Sequence, residues 1–248
     1  MVIETPPPGD DRAVEAVATA AAGALLAAMA GRTIGSARLG AAVGAVSGAV
    51  AGWRGIYDWK SRRGVVAFVL DHTWGLVTTA AGTAALALNR LGDAGYEASL
   101  SERQNRMVHR RGFVLRRGFA VTFGYVVNGA EGRDGTLSER RRKLVTHHED
   151  VHVWQARWWG PMYPIAYLAW TAGGGVVAVV RRLLGRSTNL AETTDELSYY
   201  RNPFEWHAYS RDDNWPPSGV NPARVWSRPF PAIGERWATK KETRSVRR

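Results

Sequence analysis

Residues 136–161, TLSERRRKLVTHHEDVHVWQARWWGP, contain the pattern in this chain that indicates a chemistry. Within them, His148-Glu149-x-x-His152 puts two imidazoles four residues apart, and on a helix such residues share one face. Two imidazoles on one face can bind the same metal ion, and a glutamate beside the first can reach a metal-bound water. The chain has 6 histidines, so a chance match is expected in roughly one such chain in a hundred.

The residues around this pattern predict the helix that it requires. Thr136 and Glu139 form a capping box with Thr136 as the N-cap, and neither Gly nor Pro follows before Gly160-Pro161. At helical spacing, one broad face is shared by Leu144, Val145, His148, His152 and Trp159. We therefore expect the two histidines to point into the protein, where a metal would be shielded. The alternative is a surface helix that carries the cluster by chance.

A catalytic zinc ion usually has three protein ligands and keeps one position for water. Asn202-Pro203 is typical of a helix start, with Asn202 as N-cap and Pro203 at N1, so Glu205 would lie in the first turn. Ala208 follows on the same side and would allow a close approach to the first helix. Other residues that could supply the third ligand are His207, Glu192, Asp195 and Glu196. A further interpretation of Glu205 is a glutamate favoured by the helix macrodipole.

The two motifs together resemble the gluzincin branch of the zincin metallopeptidases, in which a glutamate on a later helix follows His-Glu-x-x-His. The resemblance implies that His148, His152 and Glu205 bind Zn²⁺ and that Glu149 is the general base. It covers about residues 100 to 210 and leaves the N-terminal part without explanation. The metzincin branch is excluded, because Arg157-Trp158-Trp159 stand where it has Gly and His.

This resemblance implies that peptide bonds are hydrolysed by a metal-activated water. Zinc would polarise the scissile carbonyl and lower the pKa of its bound water towards about 7. Glu149 would take the proton and return it to the leaving nitrogen. Gln155 is a candidate for a supporting hydrogen bond at the site. The candidates for stabilising the oxyanion are Tyr199, Tyr200, His207 and Tyr209.

Residues 119–127 alternate large apolar residues with smaller or polar ones, which predicts a strand between turns at Gly118 and Asn128-Gly129. Zincins have a similar order, with strands before the metal helix, and in them a substrate peptide often lies along the edge strand. This segment is therefore the candidate edge strand. An ordinary packed hairpin is an equal alternative.

Residues 13–90 have the composition of membrane-associated helices. Residues 13–30 are nearly all Ala, Val, Leu and Gly, and a turn is predicted over residues 31–38. Gly40, Gly44, Gly48 and Gly52 then repeat every four residues. This spacing predicts a glycine zipper, a bare backbone stripe through which helices contact each other in lipid, and a homo-oligomer could form through it.

Two further apolar runs are ambiguous. Residues 65–88 are long enough to span a bilayer but include Asp71 and His72, so we favour a buried helix or an interfacial position over a span. Residues 163–180 would, as a full span, place His152 and Glu205 on opposite sides of the membrane. Because Pro161, Pro164 and the triplet 173–175 favour a broken helix, we expect this segment not to span.

The net charge is +11, and basic residues are dense before the metal motif. They are Arg103, Arg106, Arg110, Arg111, Arg116, Arg117, Arg140, Arg141, Arg142 and Lys143. Beside apolar helices, this charge predicts attraction to anionic lipid headgroups. No recognised nucleic-acid motif is present, so no nucleic-acid partner is expected. The absence of cysteine excludes disulfides and thiolate metal sites.

Together these patterns predict a mainly α-helical protein with a small β-sheet, an α+β zincin-like domain, and N-terminal membrane helices. The predicted segments are a flexible N-terminus (1–12), glycine-zipper and apolar membrane-associated helices (13–90), a zincin-like metal domain (96–210) and a Pro- and Arg-rich tail (211–248). The predicted function is a membrane-associated zinc metallopeptidase acting on a peptide or protein substrate. The alternative is a non-catalytic glycine-zipper membrane scaffold, or an oligomeric membrane protein with a degenerate zincin-like domain.

Overall fold

The computed structural model describes residues 9–33, 35–114, 118–212, 216 and 220–226. These residues are mainly helical with one small three-stranded sheet, which confirms the predicted combination of secondary structure. They form two compact units, the first ending at Pro164 and the second beginning at Ile165. Most of the predicted Pro- and Arg-rich tail, and residues 1–8 of the predicted flexible N-terminus, lie outside the described residues.

The first unit begins with two closely packed helices, α1 (Gly9–Arg32) and α2 (Ala37–Arg54), joined at the predicted turn. The glycine stripe, defined as Gly40, Gly44, Gly48 and Gly52, is buried. A Cβ atom on Gly44 would lie 2.2 Å from the carbonyl oxygen of Gly23 in α1, whereas real Cβ contacts essentially never fall below 3.0 Å. Only glycine allows the two backbones to approach this closely, and the stripe faces a helix of the same chain.

The apolar run at residues 65–88 forms two helices, α3 (Arg62–Asp71) and α4 (Leu76–Arg90), which are bent by 86° at the break between them. The Ser61 side chain caps α3 by accepting a hydrogen bond from the Gly64 amide. Asp71 and His72 lie at the bend and are 2% and 0% exposed. Both polar side chains are therefore enclosed by protein, whereas the preference for a buried or interfacial position over a span stays a prediction.

The sheet contains β1 (Met107–Val108), β2 (Val121–Phe123) and β3 (Val126–Asn128) in the order β1-β3-β2. β1 is parallel and β2 antiparallel to β3. The prediction of one strand over residues 119–127 is therefore wrong, and the hairpin alternative is confirmed. The reason is Gly124, which has a φ of +55° and whose Cβ would lie 2.2 Å from the carbonyl oxygen of Thr78 in α4.

Two hydrophobic clusters meet at the sheet, because successive residues of a strand point to opposite faces. Val126 belongs to a cluster with Ile56, Tyr57, Phe68, Met107 and Tyr125. Val127 belongs to a second cluster with Leu100, Val108, Ala130, Val145 and Val153. The first cluster includes residues of α2 and α3, and the second includes two residues of the helical segment that carries the histidine motif.

The second unit contains α7 (Met162–Leu183) from Ile165 onward, with α8 (Leu190–Thr194) and α9 (Pro203–Tyr209) after it. The prediction of a broken helix is wrong, since α7 is continuous over 22 residues. Pro164 lies in its first turn, where a backbone N–H is not needed. Gly174 faces the backbone of residues 197–198, because a Cβ there would lie 2.7 Å from those atoms.

Within the described residues, two helices are long and apolar enough to cross a membrane, Asp11–Arg32 and Met162–Leu183. The bent pair α3 and α4 would be a third span if it crosses as one. Many large apolar side chains on these helices are exposed, among them Val17, Leu25, Leu168 and Val176. These properties are compatible with the predicted membrane association.

Candidate metal site

The histidine motif lies on one continuous helical segment. It begins as α5 (Glu139–Lys143), widens into a π-helical turn (Leu144–Glu149) and continues as α6 (Asp150–Trp159). π-Helical turns are rare and occur frequently at functional sites. The segment ends at Gly160 with a φ of +52°, at the position that the sequence predicts.

The helix begins two residues later than predicted. Its N-cap is Ser138, whose side chain accepts a hydrogen bond from the Arg141 amide at 3.3 Å. Thr136 is not the N-cap, because Asp134 accepts hydrogen bonds from its amide and its hydroxyl at 3.1 and 2.8 Å. The carboxylate holds Thr136 in the preceding turn.

The buried face of the segment carries both motif histidines, as predicted. His148 and His152 are 2% and 5% exposed, and Glu149 is 4% exposed. His147 is exposed, as expected from its position round the helix. Trp159 is 49% exposed, so its predicted place on the inward face is wrong.

The two histidines converge through their Nε2 atoms, which lie 3.2 Å apart. The second ring is held from behind, since His152 Nδ1 lies 2.8 Å from Gln155 Oε1 and 3.1 Å from the Tyr163 hydroxyl. A carbonyl oxygen can only accept, so Nδ1 carries the proton and Nε2 keeps its lone pair. That nitrogen is therefore in the form that binds a metal.

The glutamate of the motif is fixed by the sheet. The Thr122 hydroxyl donates a hydrogen bond to Glu149 Oε2 at 2.7 Å. Thr122 is the central residue of β2, which lies at one edge of the sheet. The predicted general base is therefore hydrogen-bonded to the edge strand, a contact that no sequence pattern indicates.

The position of α6 is set by a buried ion pair one turn beyond His152. Arg157, which is 1% exposed, donates from Nε and Nη2 to the two carboxylate oxygens of Asp71, each at 2.8 Å. The Tyr57 hydroxyl donates to the same carboxylate at 2.9 Å, and burial first, then the charge of Asp71, raises the pKa of this phenol. Bidentate pairing with a guanidinium fixes orientation as well as distance.

The predicted third ligand lies where the sequence places it in the second unit. Asn202 caps α9 by accepting from the Phe204 amide, Pro203 follows, and Glu205 occupies the first turn. Glu205 is 3% exposed and accepts a hydrogen bond at 2.7 Å from the Tyr167 hydroxyl, in the second turn of α7. Glu205 therefore lies beside the beginning of α7.

Two of the predicted oxyanion candidates lie close to each other in this unit. The hydroxyls of Tyr199 and Tyr209 are 3.2 Å apart. Burial and then the negative charge of Glu205 raise the pKa of both phenols. Both side chains therefore keep their protons at neutral pH and can act as hydrogen-bond donors.

All three predicted ligands are buried, His148 and His152 in the first unit and Glu205 in the second. Of the alternatives for the third ligand, Glu196 is also buried, His207 is half-buried, and Glu192 and Asp195 are exposed.

One histidine and several neighbours of the site lie where no local sequence pattern indicates them. The neighbouring Arg110 and Arg111 favour a surface position for His109, but it is 8% exposed, because its backbone amide donates a hydrogen bond to the Val127 carbonyl and draws it into the sheet. Thr122, Tyr163 and Tyr167 were not anticipated. Tyr163 and Tyr167 are four residues apart, so on a helix they share one face, and this spacing is the signal that could have indicated the pair.

Comparisons of this chain with family models, curated proteins and solved structures found no match.

Proposed function

We propose that the protein is a membrane-associated zinc metallopeptidase in which His148, His152 and Glu205 bind Zn²⁺ and Glu149 is the general base. The observation that carries the proposal is the pair of buried Nε2 atoms 3.2 Å apart. Two nitrogens that are each about 2.0–2.1 Å from a tetrahedral zinc ion lie about 3.3 Å apart. The spacing of the two rings therefore suits a single zinc ion.

The donor set supports the same assignment. Two imidazoles and one carboxylate make a ligand set of catalytic zinc sites, which leave one coordination position open. Two tyrosines of α7 hold proposed ligands in place. Tyr163 contacts His152. Tyr167, one turn later, donates a hydrogen bond to Glu205. Hydrogen bonds of this kind orient ligand side chains and raise their metal affinity.

When bound, zinc would polarise the scissile carbonyl and make a water molecule nucleophilic near neutral pH. The chain's own contribution to proton transfer is Glu149. Because the Thr122 hydroxyl binds Oε2, Oε1 is left to accept a proton and return it to the leaving nitrogen. The phenol O–H groups of Tyr199 and Tyr209, which their raised pKa keeps protonated, are candidate donors to developing negative charge.

The edge strand β2 is the proposed binding edge for the substrate. Among the described residues, β2 pairs with β3 on one side only. A substrate in extended conformation can add main-chain hydrogen bonds to such an edge. Since Thr122 links this strand to Glu149, a peptide paired with β2 would run past the proposed general base.

The metal assignment is tested by the zinc content of purified full-length protein, measured by mass spectrometry after removal of free metal. We expect one equivalent of zinc, with loss of zinc in His148→Ala and Glu205→Ala. The matched controls are His147→Ala and His207→Ala, which remove neighbouring histidines and should retain zinc. Equal zinc content in a ligand variant and its control would refute the proposed ligand set.

The catalytic assignment needs a separate experiment. Wild-type and Glu149→Gln proteins, both loaded with zinc, are incubated with a peptide library, and products are identified by mass spectrometry. We expect cleavage by the wild type to fall at least a hundredfold in the variant, because general base catalysis contributes about that much. Equal cleavage by both proteins would refute the role of Glu149.

A non-catalytic membrane scaffold is the second candidate function. It is favoured by the close α1–α2 contact at the glycine stripe and by the two helices that could cross a membrane. The homo-oligomer predicted from the glycine stripe stays a prediction. Because α1 covers the stripe, an oligomer formed through these glycines would require α1 to move away. A zinc-free wild-type protein that cleaves no peptide would favour this second function.

A further inference from the structure

The first unit contains a cavity of about 440 Å³ that shares no lining residue with the candidate metal site. It lies between α2, α4 and the segment around residues 92–96. One wall is apolar and includes Val46, Val50, Leu86 and Met107. A mainly apolar cavity of this volume with a few polar groups is typical of a small-molecule binding site.

The polar part of the cavity carries positive charge. Arg54 and Arg90 line it, and among the described residues neither forms an ion pair or donates a side-chain hydrogen bond. The Arg54 guanidinium lies 4.2 Å from the centre of the Tyr96 ring, which holds it at the cavity. The lining carboxylate, Asp93, is already paired with Arg111. Two cationic side chains are therefore available to an anionic ligand.

His109 adds an unused hydrogen-bonding group to the lining. It is 8% exposed, and its buried Nδ1 has no hydrogen-bond partner within the part of the chain that the structure describes. Burial, followed by the charges of Arg54 and Arg90, lowers the pKa of His109 to about 4. The ring is therefore neutral at pH 7.

We propose that this cavity binds an anionic phospholipid, with an acyl chain against the apolar wall and the phosphate between Arg54 and Arg90. Guanidinium groups bind phosphate through charge-assisted hydrogen bonds. A lipid is favoured over a free phosphate because most of the lining is apolar and the wall residue Val46 is 52% exposed. This inference does not depend on the metal site.

The test is calorimetric titration of the full-length protein in non-ionic detergent with dioctanoyl phosphatidylglycerol. Dioctanoyl phosphatidylcholine and glycerol 3-phosphate serve as the zwitterionic lipid and the headgroup alone. We expect phosphatidylglycerol to bind at least tenfold more tightly than either. Equal binding of the two lipids would overturn the charge argument, and equal binding of glycerol phosphate would show a phosphate site without a lipid.

Variants localise the site. The double variant Arg54→Gln/Arg90→Gln should weaken binding of phosphatidylglycerol at least tenfold, whereas Lys60→Gln/Arg62→Gln removes two exposed charges elsewhere and should not. Val46→Trp fills the cavity from its exposed rim, keeps both charges and should also weaken binding at least tenfold. Equal affinity in the two charge variants, or wild-type affinity in Val46→Trp, would overturn the proposal.

Discussion

Substitution of Gly44 by Ala tests the packing of α1 against α2 most directly. The added Cβ would lie 2.2 Å from the carbonyl oxygen of Gly23 and 2.7 Å from the Cβ of Ala27. The nearest atom belongs to the backbone, so no side chain can rotate away. To restore the 3.0 Å minimum, the helices must separate locally by about 0.8 Å, which loosens the whole close contact.

Two opposing terms decide the magnitude. In a helix interior, Ala is more favourable than Gly by about 1 kcal/mol. Insertion of a methyl group into a closely packed contact costs about 1–3 kcal/mol. The cost at Gly44 should be near the upper end of this range, because the added methyl group would meet the backbone of α1. The expected net loss is about 1–2 kcal/mol, or about 2–8 °C in Tm for a unit of this size.

The assay is thermal unfolding in detergent, followed by tryptophan fluorescence. Gly173→Ala is the matched control, because Gly173 is also helical but has no atom within 4 Å of an added Cβ. Helix propensity alone acts there, so its Tm should stay or rise. A Tm for Gly44→Ala at or above the wild-type value would refute the close contact between α1 and α2 at Gly44. It would then favour a role of the glycine stripe in contacts between molecules.

Three further predictions concern buried polar groups. Asp71→Asn leaves the 1% exposed Arg157 without its counter-charge and should lower the free energy of unfolding by about 3–5 kcal/mol; wild-type stability in denaturant titrations would contradict this. The pKa of His109 is lowered to about 4 from 6.5, so the unfolded chain binds the proton first and stability should fall by up to about 3 kcal/mol between pH 6.5 and 4. His109→Gln should lack this fall, and an unchanged pH profile would rule out the assignment. Gln155→Leu removes the acceptor at His152 Nδ1 and should weaken zinc affinity about 10–100-fold; unaltered affinity in a competitive chelator titration would contradict the orienting role.

Local patterns predicted the parts of the site that depend on neighbours in sequence. The end of the motif helix at Gly160 and the Asn202-Pro203 start of α9 follow from backbone rules that act within a few residues. The same rules put Glu205 in the first turn of its helix. They failed at Thr136, because a carboxylate two residues earlier competes for its hydroxyl.

Contacts between distant segments explain the other errors. Gly124 interrupts an alternating strand pattern, because the backbone there lies too close to the Thr78 carbonyl oxygen of α4 for a side chain to fit. This contact joins residues 46 positions apart, so the sequence around Gly124 does not indicate it. His109 has arginines for neighbours in sequence but pairs in the sheet, so its burial follows from strand topology. In α7, the glycine triplet favoured a break, yet Gly174 serves close packing against a later segment.

The charged residue in the apolar run at 65–88 shows why such runs are ambiguous. Asp71 would be costly in lipid, but its partner Arg157 lies 86 residues away in sequence. That partner is on α6, five residues after His152, so the apolar N-terminal helices and the motif helix share one buried ion pair. Removal of α3 would leave Arg157 buried without a counter-charge. The N-terminal helices are therefore part of the structure that holds the histidine pair in place, and an isolated domain without them should not keep its geometry.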